Sequence, residues 1–141
     1  MSWREEYGAI MREYDEAVTE IQKNRKMFDG VLGMGNHPGN APCHDVLDKR
    51  IETLCAAAAA DPEAGSFREL LESIYSAALK WQGPEYARLM LIAVHRHTVP
   101  VVARLAEADR AELCAWYEKT WPRRKRLPVQ DEVLKALKKG S

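Results

Sequence analysis

Apolar residues recur along the first segment of this chain at alternating steps of four and three: Trp3, Tyr7, Ile10, Tyr14, Ala17, Ile21 and Phe28, with Asn24 filling the one polar position in the series. A period near 3.6 residues marks an amphipathic helix and predicts one from Ser2 to about Phe28. Met11 and Val18 widen the stripe, which suits a helix lying on a globular core better than the narrow seam of a two-stranded coiled coil. At 1.5 Å per residue its length is roughly 39 Å, long for a small domain. One end is therefore expected to protrude and to meet a partner.

The same periodicity resumes through Val46, Leu47, Ile51, Leu54 and Cys55, predicting a helix over 43–60 that ends in five consecutive alanines before Asp61-Pro62. Alanine has the best helix propensity, and its small side chain admits a close neighbour. Ser66 and Glu69 have capping-box spacing and open a third helix carrying Phe67, Leu70, Leu71, Ile74, Tyr75, Ala78 and Trp81. Pro84 is placed to start a fourth, whose segment YARLMLIAV from Tyr86 to Val94 is apolar almost all round and is expected to be the central, most buried helix. Pro100 marks a restart into a short helix through Leu105. Glu107 to Trp121 then reads as amphipathic, a polar connection follows over 122–128, and Val129, Val133, Leu134 and Leu137 mark a last helix. No alternating strand pattern of useful length interrupts this order.

The pattern thus predicts one all-α domain over 1–141: an irregular bundle of six to seven helices, or a short stack of helical hairpins, with one long glycine- and proline-rich loop over 30–42. That loop belongs to the stretch GVLGMGNHPGNAPCHD, Gly30 to Asp45, which holds four Gly, two Pro, two His and a Cys. A connection this long in a compact domain is uncommon unless it is functional or disordered. Val31, Leu32 and Met34 offer apolar anchors, so the loop is expected to be ordered and to rim the best pocket.

With 141 residues, 46% hydrophobic and 30% charged, the composition is that of a globular protein with a real core. No apolar run approaches the roughly 20 residues of a membrane span. The charged N-terminus and the odd, sparse set of three cysteines point to a cytoplasmic protein. Net charge is zero but unevenly placed: residues 1–70 hold 8 basic against 13 acidic residues, and residues 71–141 hold 13 against 8. A nucleic-acid protein usually carries a net basic domain, and the balance weakens that class.

Candidate chemistry gathers at few places. His37, Cys43, His44, His95 and His97 are the candidate pocket or ligand residues, with Asp45 a further carboxylate. Their spacing matches no zinc module, which supplies ligands in pairs such as C-x2-C with H-x3-H. On a helix His95 and His97 would project about 200° apart and could not share an ion. Gly33-x-Gly35 lacks the third glycine and the preceding strand of a dinucleotide site. Cys43 in a first helical turn beside an imidazole is the one plausible nucleophile; no elbow, metalloprotease or paired-carboxylate motif supports it. Trp121, Arg123, Arg124, Lys125 and Arg126 form the candidate nucleic-acid segment, able to contact phosphates without base-edge specificity. No catalytic residue, metal or cofactor is assigned. The expected function is a small non-catalytic protein-interaction or regulatory module with a protein partner or self-association. The alternatives are weak nucleic-acid association through 121–128, and a metal- or cysteine-dependent enzyme centred on Cys43.

Overall fold

The computed structural model describes the backbone of residues 2–32, 40–62 and 67–139, and the side chains of residues 2–23, 43–62 and 67–139. Among these it is all-α, with no strand. The order is α1 (Trp3–Leu32), α2 (Asn40–Ala60), α3 (Phe67–Lys80), α4 (Glu85–Ala93), a 3-10 turn (Val94–Thr98), α5 (Val99–Val102), α6 (Glu107–Thr120), a second 3-10 turn (Arg123–Lys125) and α7 (Pro128–Lys138). Helices α1 and α2 extend into the expected loop from both sides, so residues 30–32 and 40–45 are helical. The remainder, 33–39 with His37, lies outside the described residues, as does the Ser66 of the proposed capping box.

Helices α1 and α2 form an antiparallel hairpin. Trp3 Nε1 donates to Asp61 Oδ2 at 3.2 Å at one end, Glu13 and Arg50 form an ion pair further along, and the Tyr14 and His44 rings lie 6.1 Å apart near the start of α2. Helix α3 buries Phe67, Leu70, Leu71, Ile74, Tyr75 and Ala78, the three-and-four spacing read from the sequence. The alanine run of α2 ends where Arg104 takes over its carbonyls: Nη1 donates to Ala59 O at 2.7 Å and Asp61 O at 2.6 Å, with the guanidinium 5.0 Å above the Phe67 ring. Cations at a helix C-terminus complement both its free carbonyls and its dipole. A cluster of buried residues from Tyr7 to Leu137 runs through all these helices.

The centre of that cluster is not where the apolar pattern put it. Helix α4 buries Ala87, Leu91 and Ile92, but Leu89 is 49% exposed, correcting the expectation that the whole segment is interior. The short turn after α4 is the hub, packing against α2, α3, α4, α5 and α7. Its hydroxyl is paired internally, while the Nε2 of buried His95 has no hydrogen-bond partner among the described residues. Thr98 Oγ1 donates to His95 O at 2.6 Å, which leaves the Tyr75 hydroxyl to donate to Thr98 Oγ1 at 2.7 Å. Buried polar groups persist in a core when they are paired in this way. Helices α6 and α7 close the structure as a second hairpin, with buried Gln130 accepting the Leu127 N–H at 3.0 Å and so holding the start of α7.

Candidate functional site

The side chains that carry chemistry fall into separate environments. His95 is fully buried in the hub, with Nδ1 3.1 Å from the Tyr117 hydroxyl. Its ring meets those of Tyr75 at 4.8 Å and Trp121 at 5.6 Å between centroids. Loss of hydration disfavours a charged imidazole. Burial pushes its pKa down to about 3, against a weaker opposing pull from the Ile74 backbone. His97, two residues on, faces away from this box: its Nε2 donates to Asp48 Oδ1 at 2.9 Å, and Nδ1 lies 3.8 Å from Glu52 Oε2. Arg96 binds the same Asp48 oxygen at 2.8 Å. Together they tie the hub to α2.

His44 stands one turn before Asp48 on α2, yet its ring joins an aromatic group of Tyr14 and Tyr86, with centroids 6.1 and 5.5 Å away. Tyr14 in turn packs on Trp81 at 5.7 Å. Burial lowers the His44 pKa, with Asp45 opposing. Burial also raises the Cys43 thiol above its ordinary value, which works against a thiolate nucleophile. Cys55 is a core residue, and Cys114 is half-buried on α6. Among the described residues, no three His, Cys, Asp or Glu side chains converge as metal ligands.

The basic segment divides as well. Arg126 is held by Asp131 Oδ1 at 2.7 Å and the Trp121 carbonyl at 3.0 Å. Arg123, Arg124 and Lys125 are exposed on the second 3-10 turn. Trp121 is buried against Tyr117 and Trp116, with centroids 4.8 and 5.8 Å away, and so packs the hairpin.

What the periodicity did not disclose is an open seam on the outer face of the α1–α2 hairpin. One depression of about 290 Å³ is lined by Ile10, Glu13, Tyr14 and Ala17 from α1, and by Cys43, Val46, Leu47 and Arg50 from α2. A second, about 380 Å³, shares Ile10 and Arg50 and continues the seam toward Trp3, Leu54 and Ala57. The floor is apolar, and the Glu13–Arg50 ion pair spans the middle. Cys43 is the residue of the expected loop pocket that reaches this seam. The sequence signal was present in the steps of three and four that align Ile10, Glu13 and Ala17, but the same steps describe a core-facing stripe.

Among the described residues, no helix is long and apolar enough to cross a membrane. The chain matches no family model, no curated protein and no solved structure.

Proposed function

We propose that this protein is a non-catalytic helical interaction module that offers the α1–α2 seam to a protein partner. The observation that carries this reading is the seam itself, two adjoining depressions that share Ile10 and Arg50 along two helices and leave Val46 57% exposed at the edge. Apolar grooves between helices are a common means of receiving a partner's side chains. The distribution of the described histidines favours the same reading over an enzyme: His95 serves packing, His97 a hydrogen bond to Asp48 and His44 an aromatic group. A cytoplasmic setting belongs to this proposal and is supported by the small, odd number of cysteines.

The test is photo-cross-linking in cells with p-benzoylphenylalanine in place of Val46, and, as a control, in place of Leu79, which is exposed on α3. The reading expects a discrete adduct from position 46, none from position 79, and loss of that adduct in Ala17→Glu, which puts a charge into the seam while thermal melting shows the fold retained. Equal labelling at both positions would overturn it.

The second reading, association with nucleic acid, is favoured by one observation: Arg123, Arg124 and Lys125 are displayed together on a turn bracketed by Pro122 and Pro128. Three cations supply a backbone contact of modest strength, which places this reading behind the first.

A further inference from the structure

Both walls of the seam carry a seven-residue repeat. On α1 the positions Trp3, Glu6, Ile10, Glu13, Ala17 and Glu20 advance by alternating steps of three and four, and on α2 so do Cys43, Val46, Arg50, Thr53 and Ala57. Such spacing keeps one face of a helix turned toward a neighbour over several turns. The apolar members, Trp3, Ile10 and Ala17, line the depressions, while the alternate members of the α1 row are all glutamate: Glu6 and Glu13 within the lining, and Glu20 one step beyond Ala17. Only Glu13 is matched, by Arg50 across the seam. Glu6 and Glu20 engage no cation among the described residues. The α2 wall bears the opposite sign, with Lys49 and Arg50 lining the second depression.

We propose that the seam is the docking groove for a basic amphipathic helix whose cations run along the α1 wall, opposite Glu6 and Glu20. The proposal rests on the interaction reading above and names the chemistry of the partner. Three arguments select that occupant. The row from Trp3 to Glu20 is roughly 25 Å long, the length of about 17 helical residues. Edge charges at heptad spacing decide which helix pairs with which and in what orientation: cations belong on the edge facing α1, and a carboxylate on the edge facing Lys49. A second copy of this chain is a poor occupant, because the face is concave and two such depressions laid together enclose voids that close packing does not tolerate.

The test uses two synthetic helical peptides of about 18 residues, each with an alanine and leucine stripe. One carries lysines at seven-residue intervals along one edge, and the other carries glutamates there. Binding is read by fluorescence anisotropy against the wild-type chain and against Glu6→Lys/Glu20→Lys, whose substitutions leave the Glu13–Arg50 pair in place and whose fold is checked by circular dichroism. The expected result is that the lysine peptide binds the wild type, weakens with salt, and loses about tenfold or more in affinity to the doubly reversed chain. The glutamate peptide shows the opposite preference. Equal affinity of the two peptides for the wild type, absence of binding by the lysine peptide, or concentration-dependent dimerisation that protects the seam would each overturn the proposal. An adduct at position 46 with no charge discrimination would remove the basic helix and leave the interaction reading standing; loss of the adduct as well would remove both.

Discussion

The Nδ1 of His95 lies 3.1 Å from the hydroxyl of Tyr117, in a site where neither side chain reaches solvent. The imidazole is ringed by Tyr75 from α3 and by Tyr117 from α6, with Trp121 at that helix's end, so the groups packed on its ring are aromatic. It is held neutral, with its pKa at about 3 in the folded chain against about 6.5 in an unfolded one. On acidification the unfolded state takes the proton first, so the stability that depends on neutral His95 is intact above about pH 6.5 and is lost progressively as pH falls toward 3. The slope attributable to this residue approaches about 1.4 kcal/mol per pH unit within that window. Urea denaturation across the window checks it: His95→Gln should show a shallower pH dependence than the wild type, and equal slopes would refute the assignment.

Leu89 and Leu91 stand two residues apart on α4, 49% and 1% exposed. Leu91→Ala should cost about 2–5 kcal/mol by opening a cavity, and Leu89→Ala less than about 1 kcal/mol. Comparable losses in the two variants would contradict the orientation of this helix.

Gly83 is needed for the turn between α3 and α4, because a Cβ there would come within 2.5 Å of the Trp81 ring. That ring cannot simply step aside: its Nε1 donates to Pro84 O at 3.1 Å, and it packs on Tyr14. Gly83→Ala should destabilise by about 1–3 kcal/mol and shift the tryptophan emission. Adding Trp81→Leu should recover part of the loss relative to Trp81→Leu alone; strict additivity of the two changes would show that the ring is not the obstacle.

For the basic turn the expected outcome is weak, sequence-independent nucleic-acid binding with a log–log salt slope no steeper than about −3, since three cations are available. Neutralising Arg123, Arg124 and Lys125 should abolish it without loss of stability. Neutralising Arg126, which holds the Trp121 carbonyl and Asp131, should lower the melting temperature instead. Binding that survives the triple change would place the anchor elsewhere.

The order of the helices was legible because each is bounded by local chemistry. Pro62, Pro84, Pro122 and Pro128 interrupt or start helices through the missing N–H and the fixed φ, and the three-and-four spacing between them declares which face each helix buries, as α3 does residue by residue. Helix α4 shows where that logic runs out. In a window apolar on every side no direction is marked, and only its neighbours decided that Leu91 points inward and Leu89 outward. The extent of the loop was overestimated for a related reason: glycine and proline lower helix propensity locally, but α1 continues through Gly30 and α2 begins ahead of Pro42, a first-turn position that proline tolerates.

The candidate site divides along the same line. Sequence by itself determined that His95 and His97, two residues apart in a helical segment, face different ways, and that the cations of 123–126 sit between helices. It also determined the heptad steps along α1. Tertiary packing alone decided that His95 enters an aromatic box while His97 meets Asp48, that Arg126 is consumed within the fold while Arg123, Arg124 and Lys125 are not, and that the α1 stripe, wide enough to serve two surfaces, buries Tyr7, Tyr14 and Val18 in the core while Trp3, Glu6, Glu13 and Ala17 border an open seam. Periodicity reports that a helix has an apolar face. Which part of that face is covered depends on contacts between residues far apart in the chain, and those exist only once the helices have packed.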